Sequence, residues 1–218
     1  MKKRKTFAVI GLGQFGKSVV MELVKQNHDV LAIDVNEDRV KDVSSIASHT
    51  IVCDTTDEEI LKNIGIKNID HAVVAIGQNV QASILTALII KELGIKEITV
   101  KATSMNHERV LRKLGITDII HPEEDMGKRV ARRISSKVIF DSIEISDNYS
   151  LVEIIPTEKI INKTLQELEL RKRYGINVVT IKRNEEIFIP EAKDVIKEND
   201  ILVIVGSNLA IEKFEKIN

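Results

Sequence analysis

Phe7-Ala8-Val9-Ile10-Gly11-Leu12-Gly13-Gln14-Phe15-Gly16 is the stretch that decides the fold. An apolar run of strand character meets a G-x-G-x-x-G turn, and Lys17 to Gln26 then carries a helical pattern. Asp34 closes the next apolar run, Val30-Leu31-Ala32-Ile33, at the roughly twenty-residue distance that a dinucleotide-binding strand–helix–strand unit requires. Each glycine has its own reason: Gly11 permits the tight turn, Gly13 lets backbone approach a phosphate, and Gly16 lets the helix pack close to the strand. Free N–H groups and the positive end of the helix dipole then favour an anionic diphosphate. Asp34 is placed to accept hydrogen bonds from both ribose hydroxyls, and its charge disfavours a 2′-phosphate. The alternative is a glycine turn that merely packs, with Asp34 capping a helix that starts near Glu37.

From Phe7 to Ile120 short apolar runs alternate with helical patterns, the grammar of a parallel sheet with crossover helices. Strands are expected at Phe7–Ile10, Val30–Ile33, Thr50–Val52, His71–Ala75, Glu97–Val100 and Asp118–Ile120. Helices are expected at Phe15–Gln26, Glu37–Ile46, Glu58–Asn63, Asn79–Leu93 and Asn106–Leu114. The helix around Ala82, Ile84, Leu85, Leu88, Ile89 and Leu93 is apolar over most of its circumference, so its second face meets either a neighbouring subunit or a loop of its own chain. After Pro122 a helix is expected from Glu123 to Lys137, with Met126, Val130, Ile134 and Val138 at four-residue spacing. A differently patterned tail follows: strands at Ser142–Ile145, Leu151–Ile155, Asn177–Lys182, Ile187–Ile189 and Asp200–Val205, and helices at Thr164–Arg171 and Leu209–Lys216. The expected class is α/β: a Rossmann-like, doubly wound, parallel six-stranded sheet, then a crossover helix and a small α+β C-terminal domain. The expected division is 1–140 and 141–218.

Composition narrows the function. With 32 basic against 33 acidic residues there is no electrostatic footprint for nucleic acid, and with aromatic residues at 3% there is no base-stacking platform. Cys53 is the single cysteine, which excludes a disulfide framework and fits a reducing compartment. The basic start, Met1 to Lys5, leads into an apolar run that breaks at Gly11, too early for a signal peptide. No stretch approaches the roughly twenty apolar residues that span a bilayer.

A dehydrogenase places an acid, base or metal beside the nicotinamide, commonly from a second domain, yet the tail contains neither histidine nor cysteine. The five histidines, His28, His49, His71, His107 and His121, lack metal-ligand spacing. His28, His49 and His71 begin strands, opposite the ligand edge of a parallel sheet, and read as structural. Strand ends at that edge carry groups suited to binding: Asp54 for an adenine amino group, Gly77 for close backbone approach, Lys101 for phosphate or Asp54, and Glu123 for a cation or ribose. Each could instead be an exposed loop group. Cys53, near the same edge, reads as a small packing residue.

The chain resembles the cytosolic regulatory subunits of Ktr/Trk-type potassium uptake systems, built from the domain that regulates potassium conductance. The resemblance runs nearly end to end. Its specific stretches are Phe7 to Gly13, Ala75-Ile76-Gly77, Gln81-Ala82-Ser83-Ile84-Leu85-Thr86, Ile120-His121-Pro122-Glu123-Glu124-Asp125-Met126-Gly127 and Leu170 to Val178.

The resemblance implies a non-enzymatic protein, cytoplasmic and peripheral on the membrane's inner face. Dimers would form an octameric ring beneath a membrane-embedded potassium-translocating subunit. It implies ATP/ADP or NAD(H) as ligand. Gly11, Gly13, Gln14, Phe15 and Gly16 would lie on the phosphates, Asp34 and Asn36 at the ribose, Cys53, Asp54 and Thr55 around adenine, and Ile76, Gly77 and Lys101 along the remaining wall. Glu123 matches a residue near the ligand or a divalent cation at a dimer interface. Leu165, Arg171, Asn177 and Pro190 match a cyclic di-AMP site of the C-terminal domain. Where relatives often carry arginine this chain has Gln14, which implies weaker discrimination of ATP from ADP, or a preference for NAD(H). An NAD-dependent oxidoreductase and an orphan nucleotide sensor remain the competing readings.

Overall fold

In the computed structural model, which describes residues 4–136 and 138–216, the opening run is β1 (Thr6–Ile10) at the centre of a six-stranded parallel sheet. It pairs on one side with β2 (Asp29–Asp34), which pairs with β3 (His49–Val52), and on the other with β4 (His71–Val74), then β5 (Glu97–Lys101) and β6 (Asp118–Ile120). The order β3-β2-β1-β4-β5-β6 reverses between β1 and β4. Ligands of open α/β sheets bind beyond the strand ends at such a reversal.

Successive residues of a strand point to opposite faces, and both faces of this sheet are apolar. Ala8, Ile10, Leu31, Ile33, Ala72 and Val74 share one core with Leu61 of α3 (Glu58–Asn63), Ala87 and Ile90 of α4 (Val80–Glu92) and Leu111 of α5 (Met105–Lys113). Val9, Val30, Ala32 and Val73 face the other way. They meet Val20 of α1 (Gln14–Lys25) and Val40 and Val43 of α2 (Glu37–Val43). Each such fully buried valine or isoleucine contributes about 1.5–3 kcal/mol, which makes this double core the rigid support for the strand ends. The helix expected to reach Ile46 stops at Val43, because Ser44 turns its hydroxyl back onto the Lys41 carbonyl at 2.8 Å.

Two compact units are present, 1–122 and 123–218. The second begins with α6 (Pro122–Ser135), which the sequence pattern had grouped with the first 140 residues. Arg129 Nε donates to Asp141 at 2.6 Å and Arg132 pairs with Glu144, both on β7 (Ile139–Ser146), which groups this helix with the second unit. Lys137, the expected end of the helix, lies outside the described residues, as do Met1, Lys2 and Lys3 of the basic start. None of the described side chains of α6 is buried, and Met126, Val130 and Ile134 are all exposed.

The rest of this unit is an antiparallel sheet ordered β10-β9-β11-β8-β7, with β8 at Tyr149–Ile154, β9 at Asn177–Arg183, β10 at Glu186–Phe188 and β11 at Ile201–Ser207. Val152, Ile154, Ile181, Leu202 and Ile204 pack against Ile211 and Phe214 of a last helix, Asn208–Glu215. The single helix expected over Thr164–Arg171 is two: α7 (Leu165–Leu168) and α8 (Leu170–Tyr174), separated by Glu169 at φ 45°. Leu168 and Leu170 are both buried in the same core. Residues two apart on one helix face different ways, so the left-handed residue is what brings both leucines inward.

Candidate functional site

The glycine turn has the geometry its residues predict. Gly11 sits at φ 92°, and a Cβ there would meet the Ile76 nitrogen at 2.8 Å. A Cβ on Gly16 would lie 1.9 Å from the Gly11 carbonyl oxygen, so only glycine lets α1 start this close to β1. Around Gly13 the situation is the reverse, because a Cβ would meet nothing within 4 Å.

Helix starts in this unit divide into two kinds. Asn36 caps α2 by accepting from Arg39 N, Asp57 caps α3, Asn79 caps α4 through Ala82 N, and Ser104 caps α5 through His107 N. Helix α1 begins at Gly13 with no side-chain cap and no acidic residue in its first turn. An uncapped helix start leaves its first N–H groups without intrahelical partners, the arrangement that suits an anion.

Asp34, only 7% exposed, is tied to this turn. Its Oδ2 accepts the Leu12 N–H at 2.6 Å and its Oδ1 accepts the Asn36 N–H at 2.9 Å. The cap of α2 is thus Asn36, and Asp34 instead joins the end of β2 to the glycine turn. A carboxylate offers about four acceptor positions, so two remain for a diol. Arg39, which the sequence reading passed over, places Nη1 3.6 Å from Oδ2 of the same carboxylate. Its signal was an arginine in the first turn of the helix that follows the acid, close enough to reach back across the cap.

The other wall is formed by Phe15, Gly77 and Lys101. Lys101 is buried, its Nζ 5.9 Å from the centre of the Phe15 ring and 3.4 Å from where a Cβ on Gly77 would stand. A Cβ at Gly77 would touch this cation at ordinary contact distance, and the cation lies beside Phe15 in the first turn of α1. Ile76 is half-buried beside it, and Gln14 is exposed at the start of α1.

Beyond β3, Cys53 N donates to the Asp34 carbonyl at 3.1 Å. Burial, then the neighbouring Asp54 charge, pushes the Cys53 thiol up, so it is protonated at neutral pH and suited to packing. Asp54 is exposed and held below the usual carboxylate range by the Thr56 N–H and hydroxyl, at 2.9 and 2.7 Å. Thr55 turns inward, its hydroxyl 2.9 Å from that of Thr86 on α4, so what it presents to the edge is backbone. One turn earlier on α4, Ser83 Oγ is buried without a hydrogen-bond partner.

His107 accepts the Thr103 N–H on Nδ1 at 3.3 Å, and burial, then the nearby His121, lowers its pKa. It is a neutral, structural imidazole. His121 Nε2 pairs with Glu108 at 2.8 Å. Glu123 is exposed at the start of α6, in the second unit. Among the described residues no three His, Cys, Asp or Glu groups are gathered as metal ligands. In the second unit Leu165 packs against the core, Arg171 is exposed on α8, Asn177 is exposed at the start of β9, and Pro190 follows β10. No described helix is long and apolar enough to cross a membrane.

Comparison with known proteins identifies the family. Residues 7–122 match the TrkA-N domain and residues 149–218 the TrkA-C domain. The chain is 50% identical to Ktr system potassium uptake protein C of Bacillus subtilis (strain 168), over 98% of this chain and 97% of that protein. The chain belongs to the Ktr potassium uptake family. Another Ktr protein, Ktr system potassium uptake protein A of the same organism, is 44% identical over 98% of this chain and 96% of its own. The Vibrio alginolyticus protein A is 40% identical over 93% and 92%. Among solved structures the GsuK channel superposes with TM-score 0.72 at 16% identity, over 98% of this chain and 39% of that one. The crystal structure of the GsuK RCK domain gives 0.69, also at 16%, over 99% and 48%. At that identity the likeness is one of fold, and this Ktr-family chain spans less than half of either GsuK chain.

Proposed function

We propose that the chain is a non-catalytic, nucleotide-binding regulatory subunit of a potassium uptake system. Copies of it assemble as dimers into an octameric ring on the cytoplasmic face of a membrane-embedded, potassium-translocating subunit. Ring contacts use α6, with Met126, Val130 and Ile134, and the outer face of α4. Exchange of ATP, ADP or NAD(H) biases the pore only insofar as the ligands bind two ring shapes with different affinity. The functional division is 1–140, which counts α6 as the crossover helix, and 141–218.

The observation that carries this reading is the uncapped start of α1 beside Asp34. Phosphate is held by the N–H groups around Gly13, Gln14, Phe15 and Gly16, with Lys101 near. Ribose is held by Asp34 and Asn36, adenine lies against Cys53, Asp54 and Thr55, and Ile76, Gly77 and Lys101 line the remaining wall. Gln14 lacks the charge and fork of an arginine, so ATP is poorly distinguished from ADP, and Gln14→Arg raises the ATP/ADP affinity ratio in calorimetry. Glu123 shares a divalent cation with groups of a second copy. Leu165, Arg171, Asn177 and Pro190 form the candidate cyclic di-AMP site, which Arg171→Ala abolishes.

Thermal unfolding with ATP, ADP, NAD, NADH and cyclic di-AMP tests the reading. A ligand at a hundred times its dissociation constant adds about 2.7 kcal/mol of stability. Stabilisation by ADP or ATP without nicotinamide is expected. A response restricted to NAD or NADH would point instead to a redox protein.

A further inference from the structure

The ribose end of the site holds a pair of opposite charges, where the sequence alone suggested a single acid. Asp34 uses one acceptor position on each oxygen for the Leu12 and Asn36 N–H groups, which leaves a position on each for a ribose diol. Arg39 Nη1, at 3.6 Å from Oδ2, lies outside hydrogen-bonding distance and so consumes neither. It does place a positive charge within ion-pair distance of Asp34. Its side chain is 41% exposed, so part of a five-donor fork stays open to solvent beside the carboxylate. The acidic neighbour Glu37 is engaged elsewhere, with Lys41 at 2.9 Å.

An acid alone at this position repels a phosphate on the ribose 2′-oxygen, whereas a neighbouring arginine accommodates one. The guanidinium also matches phosphate in both planarity and donor spacing. We propose that Arg39 is a specificity-determining residue of the ribose subsite, and that the site accepts 2′-phosphorylated adenine dinucleotides alongside unphosphorylated ones. The proposal rests on the nucleotide-binding reading given above. Asp34 takes the diol when there is no phosphate, and Arg39 takes the phosphate when there is one.

Calorimetry of NAD and NADP on the full chain, with R39M and R39K, tests this. Wild-type affinities for the two are expected within tenfold of each other. R39M is expected to shift the ratio at least tenfold against NADP, and R39K to fall between. An NADP affinity more than tenfold below that of NAD in the wild type overturns the proposal, and so does an R39M ratio that moves less than tenfold. If wild-type protein binds neither NAD nor ADP, the nucleotide reading itself fails and takes the proposal with it; binding of NAD or ADP with the wrong ratio fails the proposal alone.

Discussion

Asp34 and Asp200 are both buried carboxylates with an arginine beside them, and they are spent differently. Asp200, 1% exposed, accepts Arg183 Nε at 2.7 Å and Nη2 at 2.8 Å, with the Lys197 N–H at 2.8 Å on Oδ2. Arg183 donates again to the Val195 carbonyl and lies 5.3 Å from the Phe188 ring centre. Three of that carboxylate's roughly four acceptor positions are filled by its own chain, two of them by one arginine, and it ties β9 to the turn before β11. Asp34 has two backbone donors and an arginine standing off at 3.6 Å, so its acceptor capacity is only half used. Burial alone therefore does not distinguish the two acids; the unused acceptor positions of Asp34 at the strand edge do, and they are what the proposed ribose role needs.

The largest effect is expected where the comparison is broken at Asp200. Asp200→Asn leaves Arg183 without its counter-charge, and the loss of one partner of a buried pair costs about 3–5 kcal/mol, read as a lower denaturant midpoint. The same pair sets an acid limit. Burial raises the Asp200 pKa, but the Arg183 guanidinium and the Lys197 N–H outweigh it, so the net shift is downward. A depressed carboxylate contributes its stability above the unfolded pKa of about 3.9 and loses it as pH falls through the lower folded value. Wild-type stability should thus fall more steeply below about pH 4 than that of Asp200→Asn, as measured by denaturant titration across pH.

Asp34→Asn is expected to cost less, about 1–3 kcal/mol, because two backbone donors lose a charged acceptor. Nucleotide-induced stabilisation should disappear with it, which would separate the two acids by function. A retained ligand response would erase the contrast between them. Gly13→Ala sharpens it further. The space around Gly13 is open and its φ of −65° suits alanine, so unfolding should move by no more than about 0.5 kcal/mol while ADP affinity falls at least tenfold in calorimetry.

The site's frame was legible because its determinants are local. Gly11, Gly16 and Asp34 announce themselves by spacing, and the six strands by their runs of Val, Ile and Ala between glycine- or asparagine-ended helices. What sequence did not disclose depends on which residues meet in space. Arg39 reaches Asp34 across a helix cap, and Thr55 turns away from the edge to Thr86, 31 residues on. The break at Glu169 was hidden because a helix and its interruption carry the same apolar residues; only the demand that Leu168 and Leu170 enter one core reveals it. The end of α2 was hidden likewise, since a serine inside a helical pattern gives no sign that its hydroxyl will fold back.

Helix α6 carries one further consequence. Its fourteen residues bury no side chain in their own chain, and helices of about 12–15 residues are marginal in water without a packed face. Ion pairs join it to Asp141 and Glu144 of β7, and exposed pairs contribute little. If copies pair through α6 as proposed, the order of this segment becomes a matter of mass action: its helicity should rise with protein concentration as Met126, Val130 and Ile134 meet the same stripe on another copy. Dilution, with no change in ligand or pH, would then act as a denaturant for one helix alone.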